Sequence, residues 1–130
     1  MIEVGAKAER RVLVDDQRAI NFMGPEIRVY ATPAMIQDIE MVCRDLLLEM
    51  VEPGTDSVGT RVDVAHLGSL PLGGVADLEV VILSVAGRRV TFDVTVRANG
   101  TLIGSGQHER AVVSLARLKA RLGKMEPEPH

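Results

Sequence analysis

Three polar residues occupy positions that structure alone explains poorly: Thr32, Glu40 and His66. Thr32 stands just before Pro33 and the first apolar residues of a helical pattern. A helix start offers unpaired N–H groups and the positive end of a dipole, which can hold a carbonyl oxygen as it becomes an oxyanion. The same threonine also serves as a plain N-cap. Glu40 follows Ile36 by four residues and precedes Cys43 by three, so it borders the buried face of that helix. Glutamate is rarely buried unless paired, because burial disfavours its charged form; the plainer reading is a boundary residue reaching solvent or an arginine. His66 shares parity with Val58, Thr60, Val62 and Val64 and precedes a glycine-rich break. Imidazole titrates near neutrality and is the natural acid or base there, while a histidine on an apolar face also serves as a satisfied core or interface residue.

Other candidates are weaker. His108 shares parity with Leu102 and Val112, which favours a structural role at a sheet junction. Cys43 lies in an apolar helix stripe and reads as a small core residue, since no neighbour in sequence lowers its pKa. Gly104 and Gly106 sit within a strand, so their spacing reads as a bend or a close backbone contact and not as a phosphate loop. No dinucleotide fingerprint, zinc spacing or nucleophile elbow occurs in the chain, and no metal site is expected. His130 falls in the polar, proline-bearing stretch 124–130, expected to fray.

The elements that must position these residues follow from periodicity. Ala8, Val12 and Val14 alternate with charged neighbours and predict a first strand over residues 6–14. Residues 15–30 are irregular, contain Gly24-Pro25 and are the best candidate for a loop or lid. With Thr32 as N-cap and Pro33 in the first helical position, Met35, Ile36, Ile39, Val42, Cys43, Leu46, Leu47 and Met50 predict a helix over residues 33–50. The period then becomes two. Strands are expected from Val58 to Val64, from Val75 to Leu83, from Val90 to Val96 and from Thr101 to Val113, with a hairpin turn at Asn99-Gly100. Residues 115–122 predict a short amphipathic helix. One strand, one long helix and an antiparallel meander make an α+β pattern. Because the helix is apolar over much of its circumference, the sheet is expected to curl around it, the hotdog arrangement.

Composition bounds the reading. With 130 residues the chain has the size of one domain, 1–130. Hydrophobic residues make up 46% and charged residues 25%, the balance of a globular protein, but two Phe, one Tyr and no Trp leave an aliphatic core. Few aromatics and a net charge of -3 argue against nucleic-acid binding, which needs stacking platforms and a basic footprint. One cysteine excludes an intramolecular disulfide. The first residues lack the apolar core of a secretory signal, and no apolar run is long enough to span a bilayer. A soluble, cytoplasmic protein without membrane partners is the expectation.

Together these segments resemble the fluoroacetyl-CoA thioesterase family of hotdog proteins. The likeness runs through Ala31-Thr32-Pro33-Ala34-Met35-Ile36 to Glu40, then Leu48 to Gly54, Ser57-Val58-Gly59-Thr60 and Val64-Ala65-His66 into the Pro71–Gly73 break. It returns at Ser84 to Arg89 and at Gly104 to Val112, and so covers about residues 30–115. The resemblance implies a catalytic threonine, glutamate and histidine, matched here by Thr32, Glu40 and His66, with Gly59 matching a glycine that lines the site. It also implies acyl-CoA as substrate, no cofactor beyond that CoA, and a homodimer with sites at the subunit interface; a tetramer of such dimers is the alternative. Phe22 falls in the stretch before the threonine. Arg88 and Arg89 are candidates for the CoA phosphates, as are Arg110, Arg117 and Lys119. Where fluoroacetyl-specific members carry a longer, aromatic-rich lid, residues 20–30 hold one Phe and one Tyr, which points to a general acyl-CoA thioesterase. The alternatives are a non-catalytic acyl-CoA-binding dimer and a hotdog hydratase or dehydratase, whose local Asp/His helix motif is absent here.

Overall fold

A computed structural model describes residues 1–125 and Pro127. His130 and most of the tail expected over 124–130 lie outside the described residues. The chain runs β1 (Lys7–Leu13), α1 (Thr32–Leu48), β2 (Thr55–His66), β3 (Val75–Ala86), β4 (Arg89–Ala98), β5 (Thr101–Ser114) and α2 (Leu115–Gly123). The strands form one antiparallel sheet in the order β1-β3-β4-β5-β2. Its concave face wraps α1, as the α+β hotdog reading requires.

Alternation drives the packing. In β4 the residues Val90, Phe92, Val94, Val96 and Ala98 all point inward and are buried. They meet Met35, Ile39, Val42, Cys43, Leu46 and Leu47 from α1. Phe92 and Tyr30 are both buried. Burial pushes the Cys43 thiol up to about 12, so it stays protonated and inert. The β4–β5 hairpin turns through Asn99 (φ 49°) and Gly100 (φ 79°), the two left-handed residues that the Asn-Gly pair supplies.

Four expectations are corrected. The N-cap of α1 is Ala31, not Thr32: Ala31 is extended (φ -73°, ψ 138°), no side chain caps the helix, and Thr32 already lies inside its first turn. The helix ends at Leu48, short of 50, whereas β3 continues past Leu83 to Ala86. Most consequential is an irregularity in β2. Gly59 pairs with Arg110 and Arg61 with Glu109, so Thr60 is an extra residue that reverses the alternation. Val58 and Thr60 therefore face away from α1, while Val62, Val64 and His66 face toward it. The five residues do not share one face.

Candidate active site

Thr32 and His66 meet at the N-terminal end of α1. Thr32 Oγ1 lies 2.7 Å from His66 Nδ1. The threonine is free for this contact because it does not cap its own helix, and the histidine reaches it because β2 ends there, opposite Gly104 of β5. Gly104 itself lies against the helix: a Cβ there would come within 3.0 Å of Met35 Sδ. The other imidazole nitrogen, His66 Nε2, is buried with no hydrogen-bond partner among the described residues. A cleft of about 380 Å³ opens over the pair, lined also by Ile20, Phe22, Tyr30 and Leu67. Phe22 is 74% exposed and forms the cleft's outer wall. The positive end of the α1 dipole points into this space, where a ligand carbonyl would accept hydrogen bonds.

Behind the cleft is a second polar group. The buried Tyr30 donates its hydroxyl hydrogen bond to Asp38 of α1. Arg18 grips the same carboxylate with Nε at 2.9 Å and Nη2 at 3.1 Å, and its Nη1 reaches Asp15 at 2.8 Å. Burial, reinforced by Asp38, pushes the Tyr30 phenol well above its usual range. The Tyr30 ring stands edge-on to His66, with centroids 6.3 Å apart and planes at 78°. The segment 15–30 is thus anchored at its base, and Arg28 adds a hydrogen bond to the Ile20 carbonyl at 2.9 Å.

Glu40 is elsewhere. Its carboxylate lies over Gly59, so near that a Cβ on that glycine would come within 2.6 Å of Oε1 and 3.2 Å of His108 Cε1. Arg44 and Asp56 hold the helix to β2 at this level through a two-pronged pair of 3.0 and 2.7 Å, which keeps the Asp56 carboxyl below its ordinary value. Eight helical residues separate Thr32 from Glu40, a rise of about 12 Å. The chain therefore brings Thr32, His66 and Phe22 together, and Glu40 with Gly59, without joining the two sets.

Arg110 corrects another expectation. Instead of standing on the surface as a phosphate-holding cation it is 4% exposed, with Nε donating to Ser57 Oγ (2.8 Å) and Nη2 to the Ser57 carbonyl (2.9 Å). Its Nη1 lies 3.1 Å from His108 Nε2, and His108 Nδ1 lies 2.9 Å from the Arg61 carbonyl. A carbonyl only accepts, so Nδ1 carries the proton and Nε2 accepts from the guanidinium: His108 is neutral. Burial, with help from Arg110, holds its pKa below the ordinary 6.5. Because the unfolded chain binds the proton more readily, this contribution to stability is complete above about pH 6.5 and is lost as pH falls toward the lower folded value. Urea unfolding measured from neutral to mildly acidic pH should show that decline, and His108→Gln should flatten it.

Arg88 and Arg89 sit at the β3–β4 turn. Arg89 pairs with Ala111, seven residues of β5 from Gly104, the partner of His66, or about 23 Å along the strand. They belong to the Glu40 end of the sheet, and Arg89 Nε lies 3.3 Å from Glu109. Sequence reasoning missed Asp38, Arg18 and Ser57. Only the complementary charges of Arg18 and Asp38 hinted at a pair, 20 residues apart.

Residues 14–116 match the model of a family described as fluoroacetyl-CoA-specific thioesterase. The fluoroacetyl-CoA thioesterase of Streptantibioticus cattleyicolor is 29% identical over 97% of this chain and 96% of its own length. A solved variant of a fluoroacetyl-CoA thioesterase in complex with acetyl-CoA superposes with a TM-score of 0.87 at 28% identity, over 97% of this chain and 100% of that one. A hot-dog-like protein from Thermanaerovibrio acidaminovorans shares the fold, with a TM-score of 0.87 at 22% identity over 97% and 94% of the two chains.

Proposed function

The chain belongs to the fluoroacetyl-CoA-specific thioesterase family and is an acyl-CoA thioester hydrolase, and from that premise we propose that Thr32, His66 and Glu40 carry the reaction on a small acyl group. The observation that carries this reading is the 2.7 Å contact between Thr32 and His66 at a helix N-terminus inside a cleft. Thr32 and the end of α1 donate to the thioester carbonyl oxygen and stabilise the oxyanion that develops on it. Glu40 brings a carboxylate to the carbonyl carbon, either taking a proton from the water that attacks it or attacking it directly to give a mixed anhydride that water then hydrolyses. The C–S bond breaks, and His66 gives the departing thiolate its proton. The products are a free acid and CoA. No cofactor beyond the substrate's own CoA takes part.

The two residue sets lie about 12 Å apart along one helix, so the reading calls for a homodimer in which each site takes Glu40 from the partner subunit. Two features support this. β2 is an edge strand with unpaired backbone groups on its free side, and Val58 and Val62 on it are exposed. Arg88 and Arg89, remote from His66 in their own subunit, remain candidates for the CoA phosphates of a site that spans two subunits, and Gly59 lines the acyl end beside Glu40. The place of action is the cytoplasm, where acyl-CoA occurs; among the described residues no helix is long and apolar enough to cross a membrane.

Free-thiol release from a panel of acyl-CoAs, from acetyl and fluoroacetyl to branched, aromatic and long-chain groups, tests the proposal. Turnover greatest on short acyl groups supports it. A folded protein that binds acyl-CoA but turns over no member of the panel would make it a binding module.

A further inference from the structure

We propose that Asp38 is a positioning residue for hydrolysis, a single carboxylate that sets both the loop walling the cleft and the imidazole of His66. The inference rests on the reading of the cleft as the reacting site, and it stands on three observations. Asp38 lies on α1 with its side chain only 12% exposed, on the face opposite the Glu40 group. Both its oxygens are taken by Arg18, which belongs to the segment that also presents Ile20 and Phe22 to the cleft. Its Oδ2 also accepts the hydroxyl of Tyr30, whose ring packs edge-on against His66.

The geometry makes the carboxylate a junction. Arg18 is tied into its loop by Asp15, which accepts from both its backbone N–H (3.0 Å) and its guanidinium. The Arg18 carbonyl also accepts from the Ala31 N–H at 2.8 Å, one residue before Thr32. The Arg18 side chain therefore sets the cleft wall, while its backbone link to Ala31 survives substitution. Tyr30 cannot shift alone, because its N–H donates to the Leu70 carbonyl at 2.7 Å while its ring is sealed in the core. With Asp38 in place the ring is held at both ends and offers His66 a fixed edge. With asparagine there, one amide oxygen must serve both the phenol and the guanidinium while the new NH2 faces two donors, and the ring re-seats. His66 has no second hydrogen bond among the described residues to resist that movement.

The arms of the junction have different kinetic consequences. Loop position governs how the substrate seats, and imidazole orientation governs proton transfer. Arg18→Gln should therefore raise KM for acetyl-CoA about 10-fold with kcat near the wild-type value, and Tyr30→Phe, which keeps the ring, should lower kcat about 3- to 10-fold with KM little changed. Asp38→Asn should move both parameters, for a loss in kcat/KM of about 10- to 100-fold. Measurements are made well below the thermal transition of each variant, with circular dichroism reporting the folded fraction. A merely structural Asp38 would scale kcat with that fraction and leave KM alone. Histidine side-chain NMR provides a second readout: in Asp38→Asn the His66 ring signals shift, while those of the remote His108 stay in place.

Unchanged kcat and KM in Asp38→Asn, or a loss that follows only the folded fraction with His66 signals unmoved, would overturn the proposal. His66→Ala serves as the reference. If it loses turnover while Asp38→Asn does not, the cleft reading stands and the positioning role falls. If His66→Ala turns over acetyl-CoA at the wild-type rate, the catalytic reading itself falls and takes with it the role of Asp38 in hydrolysis.

Discussion

Replacing His66 with alanine, or Glu40 with glutamine, is expected to lower kcat for acyl-CoA hydrolysis by about 10²- to 10⁴-fold, the range over which a positioned acid or base acts. The two substitutions remove different things. His66→Ala takes away the imidazole that touches Thr32 at 2.7 Å, and with it both the orientation of that hydroxyl and the proton for the thiolate. Glu40→Gln keeps shape and packing over Gly59 but removes the negative charge and the basic lone pair. Neither should unfold the protein. Thr32 is exposed and can exchange its lost partner for water, and Glu40 is only half-buried, so stability should change by no more than about 1 kcal/mol in either variant. Steady-state thiol release read beside thermal unfolding separates the two effects. Folded variants at the wild-type rate would remove these residues from the mechanism.

The second large effect concerns the strand that positions His66. Gly106 of β5 faces Val64 of β2 and Val94 of β4 in register. A Cβ at Gly106 would lie 2.0 Å from the Asp63 carbonyl oxygen and 2.7 Å from Val64 Cα, and its φ of 156° adds to the strain. The obstructing atoms are backbone, so no side chain can swing aside. Gly106→Ala should therefore cost about 3 kcal/mol or more, in the range of the named severe mechanisms. It should also reduce activity in the fraction that still folds, because β2 carries both Gly59 and His66. Gly87→Ala is the control: its φ is 62° with nothing within 4 Å of the added carbon, so only the left-handed strain remains, about 1–2 kcal/mol. Urea midpoints for both variants decide the matter. A smaller loss at Gly106 than at Gly87 would contradict the close approach.

What sequence made visible and what it hid divide along a physical line. β4 was legible because each of its inward residues is apolar and each outward one polar, so periodicity alone orients it. The Asn99-Gly100 turn was legible because both residues need left-handed backbone. Thr32 was misread as a cap because Thr-Pro suits two adjacent positions, and the partner that decides between them, His66, comes from another element. The face of Val58 and Thr60 was misread because an inserted residue leaves no mark on an alternation that continues in sequence. Arg110 was taken as a candidate for the CoA phosphates because arginines mostly stand on the surface; its acceptor Ser57 lies 53 residues away and meets it only after β2 and β5 pair. The fold was thus readable from local pattern, and family likeness made Thr32, Glu40 and His66 the candidates. The polar groups that hold them depend on long-range pairing.

The central claim is that hydrolysis needs Thr32 and His66 from one subunit and Glu40 from its partner. Mixing the two inactive variants tests it most directly. Glu40→Gln and His66→Ala proteins, unfolded and refolded together in equal amounts, should regain about a quarter of wild-type thiol release, since half the dimers are mixed and each holds one site with all three residues intact. A mixture no more active than the sum of its two parents would contradict the shared site.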